Sequence, residues 1–588
     1  MRKPLGANRE TGVWRGEGKA CPEQSEGSLP RNFLEERAAQ VPPNHLLALS
    51  GLICLIAISS LGQSRSLTIG LQGTFQASHP LQEKEEAASF VDDLLHTPLL
   101  FLNAKWQWKC GLCSEVPSLA NKRLKIVEKG DSEALELSFN LSPNSFWDDG
   151  TPVTTDDLLL TWDLARQARK ENRPSRFPDA IEDIVVEDKR TFKIMMNVSG
   201  EPLRNVTELF LVPRHLEKVL WDKANSWHSY LTQSFFVTDP TLPGLYNGPY
   251  SLRHASKTLT LSANEHGRSP FPFQQIDVHM FPSSAPFLSK SLLGGFDLIP
   301  SHVVWDDNLE FFRSLETSKD IQHDITVGET QFFEHIDFNL QNPVFRDVQV
   351  RRALAFAIDK DVLISQILEE WAIPALSFCH PQSPYFDENA AFYEFSLPKA
   401  RTLLSASHWV PGQDGIREKN GRKLTFELWT IQDKLRESFA HYLAKTWGEL
   451  GVKVSVVLLP LNRFRDAVGK RQFPGMALYA WHLSPYQSMR ETFHSSAIPS
   501  VRNSYSGLNT SAWNDTEVDN LISQLDTTLP FDKRKKLHAS LQIKYAAELP
   551  SLPLFFRVRA ALLRKEFKNY TIMPSKTGTG QIEQVPYF

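Results

Sequence analysis

The residues best equipped for chemistry fall into four groups. Cys110 and Cys113 are separated by two residues and Cys379 adjoins His380, a set that could supply four zinc ligands. Nothing local brings its halves together, so a short-range disulfide, or two plain thiols, accounts for Cys110 and Cys113 more simply. Asp148, Asp149, Asp156 and Asp157 crowd carboxylates together, which suits acid–base work, but turns and helix caps call for the same residues. His482 follows Trp481 and titrates near neutrality, as a metal ligand or pH sensor would; a polar lining residue or a packed neutral ring is the plainer reading. Arg351 and Arg352 could meet an anion, although their place after Asp347 favours local pairing in an early helical turn. No nucleophile elbow, phosphate loop or local metal triad completes a catalytic motif. An enzyme is therefore not expected, nor a bound cofactor or metal.

These residues need elements to position them. With 588 residues, 41% hydrophobic and 22% charged, the chain exceeds one ordinary core, and two or three domains are expected. A net charge of -4 leaves no broad basic surface, so nucleic acid is not an expected partner. Fourteen Trp and 37 Phe would suit a cleft with flat apolar walls, though core packing explains most of them.

Strand-like and helix-like segments alternate. Ser66 to Gly73 reads as an opening strand; Thr154 and Thr155 precede acids and an apolar run, the signature of a helix start. Phe332 to Leu340 reads as a strand and Asp347 to Ile367 as a helix. Lys423 to Thr430 is strand-like, Glu437 to Leu450 helical and Val452 to Leu459 strand-like. The fold class is α/β. Leu46 to Leu61 is uncharged and mostly apolar, followed by Gly62, Gln63 and Ser64, as in a signal peptide with its cleavage site; a single anchor is the alternative. The first 44 residues carry mixed charge, which suggests a start assigned too far upstream.

Five stretches then carry a resemblance. Phe146 to Asp157 (FWDDGTPVTTDD) resembles a signature of the family 5 extracellular solute-binding proteins, the oligopeptide-, dipeptide- and nickel-binding group. Asn247-Gly248-Pro249-Tyr250 with Leu259 to Ser262 and Asn264 is similar to a strand pair of that family. So are Phe338-Asn339 with Phe345, Asp347, Val350, Arg351, Ala353, Leu354, Ala357, Ile358 and Asp359. Val518-Asp519 with Leu521-Ile522, and Leu549-Pro550 with Pro553-Leu554-Phe555, complete the series in the family's order, from about Leu67 to Arg559.

The resemblance implies a type II-like periplasmic-binding-protein fold, with two lobes joined by two crossover strands near Val327 to Glu334 and Leu552 to Val558. It implies a first lobe of residues 65–329, with an inserted subdomain near 88–205 and a return at 556–588, and a second lobe of residues 330–555. The implied function is capture of a short peptide by a periplasmic, monomeric component that delivers it to the membrane subunits of an ABC importer. The alternatives are a metal complex, opine or oligosaccharide on the same fold, or a membrane-anchored ligand sensor. Thr74, Phe75 and Gln76 match the segment that contacts ligand backbone on one side, and Ala480, Trp481, His482 and Ser484 the segment opposite. Peptide-binding members carry an Asp where this chain has Ser484. A serine hydroxyl does not compensate a buried ammonium, which leaves either a ligand neutral at that point or another acid in that role.

Overall fold

The computed structural model describes residues 66–567, apart from 104, 130–131, 208, 268–272, 304–308, 310, 313, 315–321, 391–392, 484–485 and 487. Expectations for the first 64 residues, including Leu46 to Leu61, and for Ser484 fall outside the described residues. No described helix is long and apolar enough to cross a membrane.

An eleven-stranded sheet organises the described chain. Its order from one edge is Lys453–Leu459, Thr425–Ile431, Met476–His482, His323–Phe338, Ser551–Arg564, Leu298–Val303, Ser66–Gln72, Gln275–Phe281, Thr258–Ala263 and Tyr250–Ala255, with Ala372–Pro374 as a further partner of Ser551–Arg564. The two central strands are its longest, at 16 and 14 residues, and pair antiparallel. Their register slips between Glu329 and Phe333, where the ladder passes from Glu329 opposite Val558 to Phe333 opposite Phe556. Such a slip bends a strand and strengthens its local twist.

Two large apolar clusters flank this region. One gathers Leu67, Ile69, Trp147, Tyr250, Leu261 and Val278 with Leu563, and extends through Leu135, Leu137 and Phe139 of a four-stranded sheet formed by Leu124–Lys129, Ser132–Asn140, Thr191–Asn197 and Ile181–Val186. The other gathers Ile336, Phe338, Val350, Leu354, Leu428, Phe439, Leu443, Trp447 and Leu478 with Leu554 and Leu562. The strand Ser551–Arg564 sends side chains into both, which explains its nearly continuous apolar sequence.

Local signals worked as read at the helix Thr155–Lys170. Thr154 is its N-cap, and Asp157 accepts from the Thr154 N–H at 2.8 Å. The same carboxylate accepts from Arg214 N–H at 2.8 Å and Asp148 accepts from Gly244 N–H at 2.7 Å, so these acids tie separate loops together. The helix expected over Asp347 to Ile367 is a correction. It is broken into Val348–Phe356, Lys360–Leu363 and a wide turn at Ile364–Leu368, because Asp359 is itself an N-cap that accepts from Val362 N–H at 2.9 Å. Local pairing of Arg351 and Arg352 is corrected as well. Arg351 donates to the carbonyls of Phe345, Glu548 and Leu549, and Arg352 to that of Ala547, so both close the C-terminal end of the helix Phe531–Glu548.

Candidate functional site

The sheet aims two sets of strand ends at one level. Ser66–Gln72, Gln275–Phe281 and Leu298–Val303 are mutually parallel, and Leu298–Val303 runs antiparallel to Ser551–Arg564, with Val303 opposite Arg559. From the other side, Met476–His482 is antiparallel to His323–Phe338 and ends with His482 opposite Phe332. Continuing the register from Ile69 opposite Leu298 carries Gly73 and Thr74 to the level of Ala560 and Arg559. His482 reaches the level of Arg557. The C-terminal ends of strands from both halves thus face the middle of the return strand, the position at which open α/β sheets offer a crevice.

Thr74 and Gln76 are exposed just past their strand, and Phe75 is half-buried against the first core. Gly73 at the strand exit has φ of +145° and donates to Phe281 C=O at 2.7 Å, which turns the chain out of the sheet. Three strands separate this segment from Met476–His482, about 19 Å across the sheet at ordinary strand spacing. The structure therefore puts the two candidate segments on opposite banks of the same level rather than in contact.

On the second bank, Leu483 N–H donates to Gln331 C=O and Asn339 N–H to Gly475 C=O, both at 2.9 Å. Antiparallel alternation then directs the backbone of Tyr479 and Trp481 toward the crossing strand and that of Ala480 and His482 to the opposite side. On that side the pairing to Thr425–Ile431 ends at Ala477. The strand thus offers a backbone edge suited to an extended guest. The side chains behave differently: His482 is exposed, in edge contact with Phe332, whereas Trp481 is only 7% exposed. The Trp481 ring packs on His335 at 3.9 Å between centroids and on Phe493 at 5.7 Å, so it supports the strand from beneath.

Charge is concentrated beside this edge. Glu334, fully buried, accepts through Oε1 from Arg436 Nη2 at 2.9 Å and from Arg557 Nε at 2.8 Å. Burial alone would raise its carboxyl, but Arg436 and then Arg557 outweigh that and hold it at about 2. The Arg557 guanidinium also lies 5.7 Å from the Phe332 ring, fixing the aromatic beside His482. Four residues that sequence reasoning did not assign to the cleft occupy the other face: Glu329, His380, Trp106 and Tyr486. His380 Nε2 lies 3.3 Å from Glu329 Oε2, Trp106 stacks on His380 at 5.0 Å, and Tyr486 O–H donates to Trp106 C=O at 2.7 Å. Single aromatic and acidic residues scattered over 380 positions carry no local pattern that would have joined them.

The thiols are divided. Cys110 and Cys113 form a disulfide, and Cys379 is a free, buried thiol that burial pushes up to about 12. Among the described residues no group of three or more His, Cys, Asp or Glu is placed to hold a metal.

Known proteins share this architecture. The oligopeptide-binding protein AppA of Bacillus subtilis (strain 168) is 20% identical over 531 residues, spanning 87% of this chain and 90% of that protein. The oligopeptide-binding protein of Thermus thermophilus, solved with a pentapeptide, superposes with a TM-score of 0.58 at 22% identity over 88% of this chain and 95% of that one. NikZ from Campylobacter jejuni, solved with Ni(L-His), does so with a TM-score of 0.60 at 20% identity over 89% and 98%. Residues 116–499 match the family described as bacterial extracellular solute-binding proteins, family 5 Middle. With two thirds of its length inside that match and a two-sided sheet joined by paired crossing strands, the chain belongs to the family 5 bacterial extracellular solute-binding proteins.

Proposed function

We propose that this protein captures a short peptide between two closing lobes in the periplasm and hands it to the membrane subunits of an ABC importer. The observation that carries the reading is the backbone edge at Ala480 and His482, facing the strand exit at Thr74 to Gln76 across the level of Arg557 to Ala560. A peptide buried there brings one donor and one acceptor per residue, and each group left unmatched costs ~1–3 kcal/mol. A strand edge supplies that pairing without regard to side chain. Peptide-binding relatives of similar length support the same guest.

In this reading residues 65–329 with 556–588 form one lobe, including a subdomain near 88–205, and residues 330–555 form the other. The slipped register between Glu329 and Phe333 is the natural place for the bend between them. The protein works as a monomer, without catalysis and after export. Thr74, Phe75, Gln76, Ala480 and His482 face the guest, Trp481 holds the edge in place, and Ser484 joins the set on the family resemblance alone.

Thermal unfolding with a pool of short peptides tests this, since a ligand of the folded state raises stability by RT ln(1 + [L]/Kd). A clear rise is expected with peptides. The similarity to the nickel–histidine binder NikZ favours one alternative: a shift with Ni(L-His) and none with peptides would replace the guest while keeping the fold.

A further inference from the structure

Glu329 lies on the crossing strand opposite Val558, at the level where the two sets of strand ends meet. Its side chain is 30% exposed and its Oε2 is 3.3 Å from His380 Nε2, yet both atoms are buried without a hydrogen bond. The imidazole is not the counter-charge. Gln382 N–H donates to His380 Nδ1 at 3.2 Å, which leaves the proton of the neutral ring on Nε2, and burial lowers the ring to about 4. The arginines flanking Val558 are committed elsewhere, Arg557 to Glu334 and Arg559 to Glu86 at 3.3 Å.

The surroundings come from three directions. Trp106, from the hairpin Leu100–Leu102 and Trp108–Cys110, whose last residue is bridged to Cys113 just beyond it, roofs His380, and Phe556 of the return strand meets the ring edge-on at 4.5 Å. Tyr486 ties the roof to the chain just beyond the Ala480–His482 edge. A carboxylate oxygen and an imidazole N–H thus sit together at the seam, both desolvated and neither matched, an arrangement that costs free energy until a guest completes it.

Resting on the capture reading above, we propose that Glu329 anchors a cationic group of the bound solute, an ammonium or guanidinium, while His380 Nε2–H donates to a neighbouring carbonyl of the same solute. The preferred guests are then amine-bearing peptides. Burial raises the free Glu329 carboxyl to about 7, against a smaller opposing hydrogen bond from Gln382. A bound cation favours the ionised form, so capture releases a proton at lower pH and affinity rises as pH passes through neutrality.

Calorimetric titration of wild type and Glu329→Gln tests this with two pools of arginine-free tri- to pentapeptides, one unmodified and one acetylated at every amino group, at about pH 5.5 and about pH 7.5, where the carboxylate and the α-ammonium are both largely charged. Wild type should favour the unmodified pool by about tenfold or more, increasingly at high pH. Glu329→Gln should lose that preference and its pH slope while binding the acetylated pool as wild type does, which also shows that the variant is folded. A variant that keeps the preference, or a wild type that has none, overturns the anchor. If wild type takes neither pool, the peptide reading fails by itself and the anchor is read from thermal stabilisation by putrescine and agmatine. Stabilisation that Glu329→Gln abolishes sustains it, and no stabilisation of wild type overturns it.

Discussion

Glu334 shows how a carboxylate can be fully buried in a cleft wall: two arginines converge on its Oε1. Removing one member of such a set leaves an uncompensated buried charge, and Glu334→Gln is expected to lower unfolding free energy by about 3–5 kcal/mol in urea titrations. The pH dependence has a definite sign. The folded carboxyl sits at about 2 against an ordinary 4.5, so its contribution is complete above about pH 4.5 and is lost as pH falls toward 2. Glu329 runs the other way. Its folded value is raised to about 7, so the unliganded protein loses stability between about pH 4.5 and about pH 7, and Glu329→Gln should unfold at higher temperature than wild type at pH 8 but not at pH 4. Trp481 belongs to the same scale. With its ring under His335 and Phe493, Trp481→Ala should cost about 3–5 kcal/mol of stability, so lost binding in that variant would report a displaced edge rather than a missing contact.

Among elements, the segment after Thr191–Asn197 makes a tight junction with Tyr385 and with the helices Thr516–Thr527 and Phe531–Glu548. Gly200 N–H donates to Asp526 C=O at 2.6 Å, Glu201 accepts from Tyr385 O–H at 2.6 Å and also from Arg534, and Arg534 donates to Leu525 C=O at 2.6 Å. A Cβ on Gly200 would collide with the Arg534 guanidinium and with Leu525 C=O. Gly200→Ala should therefore loosen this junction, seen as faster amide exchange around Asp526, with exchange in Thr425–Ile431 unchanged. The disulfide is a contrasting case. A bridge between residues three apart closes too small a loop to restrict much unfolded chain, so reduction should shift the global melting temperature little.

For the whole molecule, the long strands His323–Phe338 and Ser551–Arg564 decide the layout. They carry the chain from one apolar cluster to the other and back, so the crevice level is defined by their shared middle and not by any one motif. Closure on a peptide should reduce the radius of gyration in solution scattering; an unchanged profile with saturating ligand would mean that the halves do not move.

Much of this organisation was legible along the chain. Ser66 to Gly73, Thr258–Ala263 and Lys453–Leu459 alternate or cap as their periods dictate, because such elements depend on neighbours two to four residues away. The solute-binding signature around Trp147 was equally plain, and its Asp157 caps a helix for the same local reasons, whereas Asp148 holds Gly244 N–H from 96 residues away. Asp359 was readable as a cap but was hidden inside an apolar period that continues past it. The sheet order, the burial of Trp481 beneath its strand and the meeting of Glu329, His380 and Trp106 were decided only by the tertiary structure. Those contacts join residues tens to hundreds of positions apart, and no local periodicity encodes which distant side chain will share a desolvated space.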